Sequence, residues 1–176
     1  MLFRSWAYAT DYARLDTVYE YGGFYFDLDL ELINSIEDLR YANFVAGFGP
    51  IRDIELAAFG AKKNSILLGE ILKSYENRVF DPSNLSLTEV QPVYMDLFMR
   101  NRGFAINGSF QSNDGNILLH RDAFSPRNWF TGELKLTDNS YGIHHCAGSW
   151  ISQKNNSESK YDKMKKLFQV FVEGSC

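Results

Sequence analysis

Cysteine is scarce: the chain has two, Cys146 and the terminal Cys176. Two cysteines make no disulfide framework, so reduced thiols in a cytosolic protein are the simplest account. Long apolar runs are missing as well. No stretch reaches the roughly 18 apolar residues of a membrane span, and no charged-then-apolar leader opens the chain, so a soluble protein is expected. Basic charge is in deficit, with 18 Lys and Arg against 22 Asp and Glu, a formal net charge of −4. The sequence pI is near 5.4. That balance argues against nucleic acid as a partner. It also means that any diphosphate ligand would need a metal ion to neutralise it.

Apolar and aromatic residues are plentiful. Hydrophobic residues make up 45% and aromatic residues 15% of 176 residues, enough for one globular domain with a real core. Aromatic platforms suit sugar rings, but a large core accounts for most of them.

The chain is organised around Ala7 to Glu31, AYATDYARLDTVYEYGGFYFDLDLE. Ala9, Tyr12, Ala13, Val18 and Tyr19 recur at three-and-four spacing, which predicts an amphipathic helix capped by Ser5 or Thr10. Gly22 and Gly23 are placed to end it, because glycine takes the left-handed conformation that closes a helix and lets the chain reverse. A strand is expected next. Period-two alternation puts Phe24, Phe26, Leu28 and Leu30 on one face and Tyr25, Asp27, Asp29 and Glu31 on the other. Asp27 and Asp29 would then point the same way with Cα atoms roughly 7 Å apart, close enough to share one cation. Asp11 and Arg14, three apart on the helix, share a face. Their plain reading is a surface ion pair, worth well under ~1 kcal/mol. The sharper reading is that the glycine turn folds both against the two aspartates.

At this point the sequence resembles a known family. TDYARLDTVYEYGGFYFDLDLE is similar to the signature of the DXD glycosyltransferases of family 32, which includes bacterial capsule sugar transferases and yeast initiating mannosyltransferases. The glucosyltransferase domains of the large clostridial toxins carry a related version. The shared pattern is Asp-x-x-Arg on a helix, Tyr-x-Gly-Gly, then Tyr-x-Asp-x-Asp at a strand end. The resemblance implies a GT-A-like α/β/α sandwich and transfer of a hexose from a nucleotide-diphospho-sugar, most simply a UDP-sugar, to a saccharide or lipid-linked acceptor. It implies retention of anomeric configuration and a role in polysaccharide synthesis. It further implies Mn²⁺ or Mg²⁺ on Asp27 and Asp29, with Asp29 the direct ligand. Asp11, Arg14, Tyr25 and Asp27 would contact the donor, and Arg14 would join Asp27 and Asp29 as the catalytic set. Hard oxygen ligands suit both ions, and the leaving diphosphate calls for Lewis-acid neutralisation. Family members carry an earlier βαβ segment that cradles the base, whereas six residues precede Ala7 here. An N-terminally truncated form of the fold is therefore expected.

Along the rest of the chain, Leu32 to Leu39 reads as a turn into a short helix capped by Asn34-Ser35. Phe44 to Phe48 reads as a strand broken by Gly49-Pro50. Ile54 to Ala61 is ambiguous between strand and helix, and Glu55 in it stands where the family has a polar amide, so it receives no role. Ser65 to Phe80 is expected as a helix with Ile66, Ile71, Leu72, Tyr75 and Val79 toward the core. Thr88 to Asn101 is expected as another, with Pro92 in its first turn. Gln91 resembles a family residue that lines the donor pocket; its plain reading is a helix-start residue. Phe104 to Asn107 and Ile117 to His120 read as strands around the turn Ser112 to Asn116. His120 reads as a strand-end histidine. Trp129, in a loop with Pro126, is a weak acceptor-site candidate.

A second motif is Tyr141 to Trp150, YGIHHCAGSW. Alternation sets Tyr141, Ile143 and His145 against Gly142 and His144, and the plain reading is a strand-end histidine pair. It also looks like the family's C-terminal block, a histidine pair followed by Ser-Trp that returns to the DXD. Carried over, His144 would bind the metal, with His145 as the alternate, and Ser149 and Trp150 would contact the substrate phosphates and leaving group. Residues 1–150 thus read as the catalytic domain and 151–176 as a polar linker and a helix. Tyr161, Met164, Leu167, Phe168 and Phe171 mark that helix's apolar side and Lys160, Lys163, Lys165 and Lys166 its basic side. It either packs on the domain or rests on an anionic membrane face, which would place the protein in the cytoplasm, peripheral at the inner face of the cell membrane.

Three rival readings remain. A haloacid-dehalogenase-type phosphatase also ends a strand in Asp-x-Asp, but needs a Thr or Val soon after and a later Gly-Asp acidic pair, whereas Leu30-Glu31 follows here. A non-catalytic cation-binding module fits Asp27-x-Asp29-x-Glu31, but the calcium-loop glycine and terminal Glu spacing are missing. An inactive transferase remnant is the third.

Overall fold

The structure is a computed structural model that describes residues 3–50, 53–76, 91–128 and 131–146. The chain opens with α1 (Phe3–Tyr21), then β1 (Gly23–Phe26), β2 (Leu30–Leu32), a 3-10 turn at Glu37–Leu39, β3 (Phe44–Phe48) and β4 (Ile54–Ala61). There follow α2 (Ile66–Tyr75), α3 (Gln91–Arg100), β5 (Gln111–Asn113), β6 (Asn116–Leu119), a second 3-10 turn at Arg121–Ala123 and β7 (Gly142–His144). Five strands form a mixed sheet in the order β1-β4-β3-β6-β5, and β2 and β7 form a separate antiparallel pair. All neighbours in the large sheet are antiparallel except β3 and β6, which run parallel. This mixed α/β arrangement agrees with the expected GT-A-like class.

The central strands are buried on both faces, so β3 and β4 read as almost continuous apolar runs and not as alternating ones. That is why periodicity left Ile54–Ala61 ambiguous; it is a strand. One face of the sheet packs Phe44, Phe48, Phe59 and Leu118 against Leu15 and Val18 of α1, Leu68 and Ile71 of α2, and Met95 and Met99 of α3. Each fully buried side chain of this size contributes about 1.5–3 kcal/mol. On the other face, Val45, Ala58 and Leu119 meet Leu39, Ala123 and Phe124, with Phe24, Phe26, Leu30 and Tyr141 packed alongside. Among the described residues this second layer consists of the two 3-10 turns and the β2–β7 pair.

Several local expectations need correction. Ser5 and Thr10 lie inside α1, so neither caps it. The inward face of α1 is set by Leu15 and Val18, while Tyr12 and Ala13 are exposed; small and tyrosyl residues at helical spacing mimicked a core stripe that the more apolar positions occupy. Ile66 is exposed at the start of α2, whereas Ile71 and Leu72 are buried as expected. Phe104 to Asn107 form no strand; Phe104 is a core residue, and Gln111 satisfies the backbone of Ala105 through its side chain. The hairpin is instead made by Gln111–Asn113 and Asn116–Leu119, so the expected five-residue turn shrinks to two, Asp114 and Gly115, both at positive φ.

Candidate active site

Three local features bring polar groups to the C-terminal end of β1. The first is the α1–β1 turn. Gly22 closes α1 with φ 71°, and its N–H donates to the Val18 carbonyl at 2.8 Å. A Cβ on Gly22 would lie 2.7 Å from the Lys63 backbone nitrogen, so the turn demands glycine twice over. The tight reversal lays the Asp11–Arg14 face of α1 beside β1.

The second is a bulge in β4. Its pairing with β3 jumps from Ala46 opposite Phe59 to Gly47 opposite Glu55, while its ladder with β1 runs on in register through Phe26 opposite Ala58. Ala57 accepts from the Asp27 N–H at 2.7 Å and Leu56 from Arg14 Nη1 at 3.4 Å.

The third is a turn in the DXD itself. The expected single strand through Asp29 does not form: β1 ends at Phe26, the Leu30 N–H donates to the Asp27 carbonyl at 3.0 Å, and Leu28 is fully exposed. Asp27 and Asp29 therefore flank a turn and do not share a strand face. The chain leaves the large sheet there and pairs with β7, setting Leu30 opposite His144. The backbone of β7 is held from two sides, His144 N–H on the Phe124 carbonyl at 2.8 Å and His145 N–H on the Asp29 carbonyl at 2.9 Å.

The result gathers most of the residues that the sequence singled out. Asp27, Asp29 and His144 each offer a ligand atom, and all three atoms lie within 4.8 Å of one another. His144 Nε2 is 3.4 Å from Asp29 Oδ1. Asp27 Oδ1 accepts from the Tyr25 hydroxyl at 2.8 Å and lies 3.4 Å from Arg14 Nη1. Arg14 pairs with Asp11 through its other terminal nitrogen and stacks over the Tyr25 ring at 5.6 Å. With only 13% of its side chain exposed, the Arg14–Asp11 pair is part of the site wall and not a solvated surface pair. Burial raises the Tyr25 phenol above its usual range and the hydrogen bond to Asp27 adds to this, so it stays a donor at neutral pH. His145 faces outward, 46% exposed and 2.9 Å from Glu31. Gln91 opens α3, but its side chain, like Trp129, Ser149, Trp150 and the 151–176 segment, lies outside the described residues.

Sequence reasoning passed over three further groups. Glu55 Oε1 is 2.6 Å from His144 Nδ1. Its other oxygen accepts from the hydroxyl of Ser125, which is 2% exposed. Cys146 Sγ lies 3.3 Å from the same Nδ1. The signal for Glu55 was present: it is the one acid in an otherwise apolar strand, and a buried acid is rarely left without a partner. Burial alone would lower the His144 pKa, but the contacts with Cys146 and Glu55 outweigh it and push it up to about 11. Burial raises the Cys146 thiol, opposed by its hydrogen bond to His144.

The donor chemistry fits a divalent cation. Two carboxylates and an imidazole suit Mn²⁺ or Mg²⁺, and without a counter-charge two aspartates this close would repel. A cleft of about 490 Å³ lies at the opposite end of β1, between Gly22-Gly23, Arg40 and Lys62-Lys63, and takes no part in this cluster.

No curated protein and no solved structure gives a match to the chain. Residues 3–45, which run from α1 through the aspartates to the start of β3, match the model of the family described as glycosyltransferase sugar-binding region containing DXD motif. The match covers about a quarter of the chain and supports a glycosyltransferase reading of that region.

Proposed function

We propose that the protein is a metal-dependent, configuration-retaining hexosyltransferase of the family 32 type, using a UDP-sugar and a saccharide or lipid-linked acceptor in polysaccharide synthesis. The observation that carries this reading is the convergence of Asp27, Asp29 and His144 on one point, beside the Arg14–Asp11 pair. Asp27 and Asp29 stand near the start of the described chain and His144 near its end, and the β2–β7 pairing brings them together.

Asp27, Asp29 and His144 would hold Mn²⁺ or Mg²⁺, and such an ion supplies charge neutralisation to the departing nucleoside diphosphate. Tyr25 and Arg14 fix the Asp27 carboxylate from two sides, so that it meets the ligand without reorganising. Asp11, acting with Arg14, accepts hydrogen bonds from donor sugar hydroxyls. Ser149 and Trp150 follow His144 closely in sequence and are assigned to the phosphates and the leaving group. The basic, amphipathic stretch Lys160–Phe171 is assigned to a membrane face, keeping the enzyme near lipid-linked acceptors in the cytoplasm.

The test is release of nucleoside diphosphate from a panel of sugar donors, with Mn²⁺ and with chelator, for the wild type and Asp29→Asn. Turnover that needs the metal and falls at least about a hundredfold in the variant supports the reading. Metal-independent turnover, or equal rates for the two proteins, would exclude it.

A further inference from the structure

The imidazole of His144 has two working edges. Nε2 faces Asp29 at 3.4 Å, within the cluster already described. Nδ1 faces away from the aspartates, 2.6 Å from Glu55 Oε1 and 3.3 Å from Cys146 Sγ. Glu55, His144 and Cys146 again offer three ligand atoms within 4.8 Å of one another. The set differs in kind from the first, since a thiol replaces a carboxylate.

We infer that Glu55, His144 Nδ1 and Cys146 form a second cation seat, selective for a thiophilic divalent ion such as Zn²⁺ or Co²⁺, and that filling it antagonises metal binding at Asp27 and Asp29. One thiolate, one imidazole and one carboxylate make a three-ligand site with a fourth position for water, a donor set that suits Zn²⁺. Sulfur favours the softer ion over Mn²⁺ or Mg²⁺, whereas the two carboxylates of the Asp27–Asp29 side are donors that suit those harder ions.

The seat is braced on each side. Ser125, buried beneath the sheet, donates to the second oxygen of Glu55 and orients the carboxylate. His144 sits on the doubly held β7 backbone. Cys146 takes φ 50°, a left-handed conformation that is uncommon for a residue with a side chain, and in it the sulfur lies against the ring two residues back.

The antagonism follows from the ring's chemistry, and this part rests on the proposed function. A neutral imidazole has one nitrogen lone pair to give and one N–H. A cation at Nδ1 leaves the proton on Nε2, where it donates toward Asp29 and has no lone pair for a second ion. Binding at the second seat releases the thiol proton and the Nδ1 proton to solvent; nothing is oxidised or reduced. Coupling of this kind is reciprocal, so Mn²⁺ at the aspartates weakens Zn²⁺ at the thiol by the same factor.

The experiment is a Co²⁺ titration of the full chain, read by thiolate-to-cobalt charge-transfer absorption, with Mn²⁺ affinity measured separately by the electron spin resonance of free Mn²⁺. The charge-transfer band should saturate at one equivalent in the wild type, in Asp29→Asn and in Cys176→Ser. It should vanish in Cys146→Ser and weaken in Glu55→Gln, each checked for folding by circular dichroism. Zn²⁺ should weaken Mn²⁺ binding roughly tenfold or more in the wild type and leave it nearly unchanged in Cys146→Ser. Absence of the band in the wild type, or its persistence in Cys146→Ser, overturns the seat. Equal Zn²⁺ effects on Mn²⁺ in both proteins overturn the antagonism. The cobalt readout needs no turnover, so failure of the transferase assay and failure of this inference are separate results.

Discussion

At the residue scale, the site is built from side chains held by their neighbours more than by their own segments. Tyr25 shows how. Its ring packs on Phe59 in the core, its face carries Arg14, and its hydroxyl fixes one oxygen of Asp27. Tyr25→Phe keeps the packing and removes one hydrogen bond to a charged group, worth about 1.5–3 kcal/mol. Metal affinity, measured by Mn²⁺ titration, should therefore fall roughly tenfold or more, with a drop in melting temperature of no more than about 10 °C. A large drop in melting temperature with unchanged affinity would show that the hydroxyl serves the fold and not the site. Arg14 is not replaceable by lysine here, since its planar fork reaches Asp11, Asp27 and the Leu56 carbonyl at once. Asp11, Arg14, Asp27 and His144 were singled out in the sequence through the motifs that carry the family resemblance, since spacing by itself left a surface ion pair and a strand-end histidine open. Glu55 was visible as an acid in an apolar strand, yet its partner His144 is far away along the chain, and no local pattern links the two.

At the scale of elements, helix termini and strand ends set the geometry. Gly22→Ala forces a side chain onto the Lys63 backbone at a positive φ, and the substitution should cost about 1–3 kcal/mol. Chemical denaturation checks this, and the same variant should lose metal affinity because α1 and its Arg14 shift relative to Asp27. The contact of α3 with β4 brings a pH dependence. Asp96 accepts from the Ile54 N–H at 3.1 Å at the start of β4, and burial raises its carboxyl to about 6, against the lowering by that bond and by Arg100.

The sign follows from the raised value. The folded state favours the protonated acid, so its contribution is fully present below about pH 4 and is lost as pH climbs through about 6. Asp96→Asn keeps an acceptor for Ile54 without the charge. It should be the more stable protein at pH 7, by on the order of 1–2 kcal/mol after allowing for partial solvent screening, with the difference gone below pH 4. Denaturation midpoints across that range are the measurement, and an unchanged pH slope in the variant would refute the assignment.

At the scale of the whole molecule, the β2–β7 pair joins the two segments that carry the site. It lies outside the main sheet, clamps the segment after the aspartates to the segment carrying His144, and contacts the 3-10 turn through Tyr141 and Ala123. A metal bound between those segments ties together parts of the chain that separate on unfolding. Mn²⁺ at a hundred times its dissociation constant should stabilise the fold by about 2.7 kcal/mol. For a chain of this size that is a rise in melting temperature of roughly 5–10 °C. Thermal melts with Mn²⁺ and with chelator read it directly, and Asp29→Asn should abolish the shift. Gly142 guards the same junction, since a Cβ there would lie 2.9 Å from the Glu31 carbonyl oxygen.

By itself the sequence determined the helix, its glycine stop, the two aspartates, the Asp-x-x-Arg pair and the histidine block, because each is a matter of spacing within a few residues. It also determined the strand β3, whose short apolar run ends at Gly49-Pro50, whereas the equally apolar run of β4 stayed ambiguous between strand and helix until its pairing was seen. Only the tertiary structure decided that the aspartates flank a turn, that the Ala57 and Leu56 carbonyls of β4 hold the Asp27 backbone and Arg14, and that His144 stands between Asp29 and Glu55. Those facts depend on strand pairing between distant segments. Pairing register is fixed by the packing of whole faces, which no short window of residues contains.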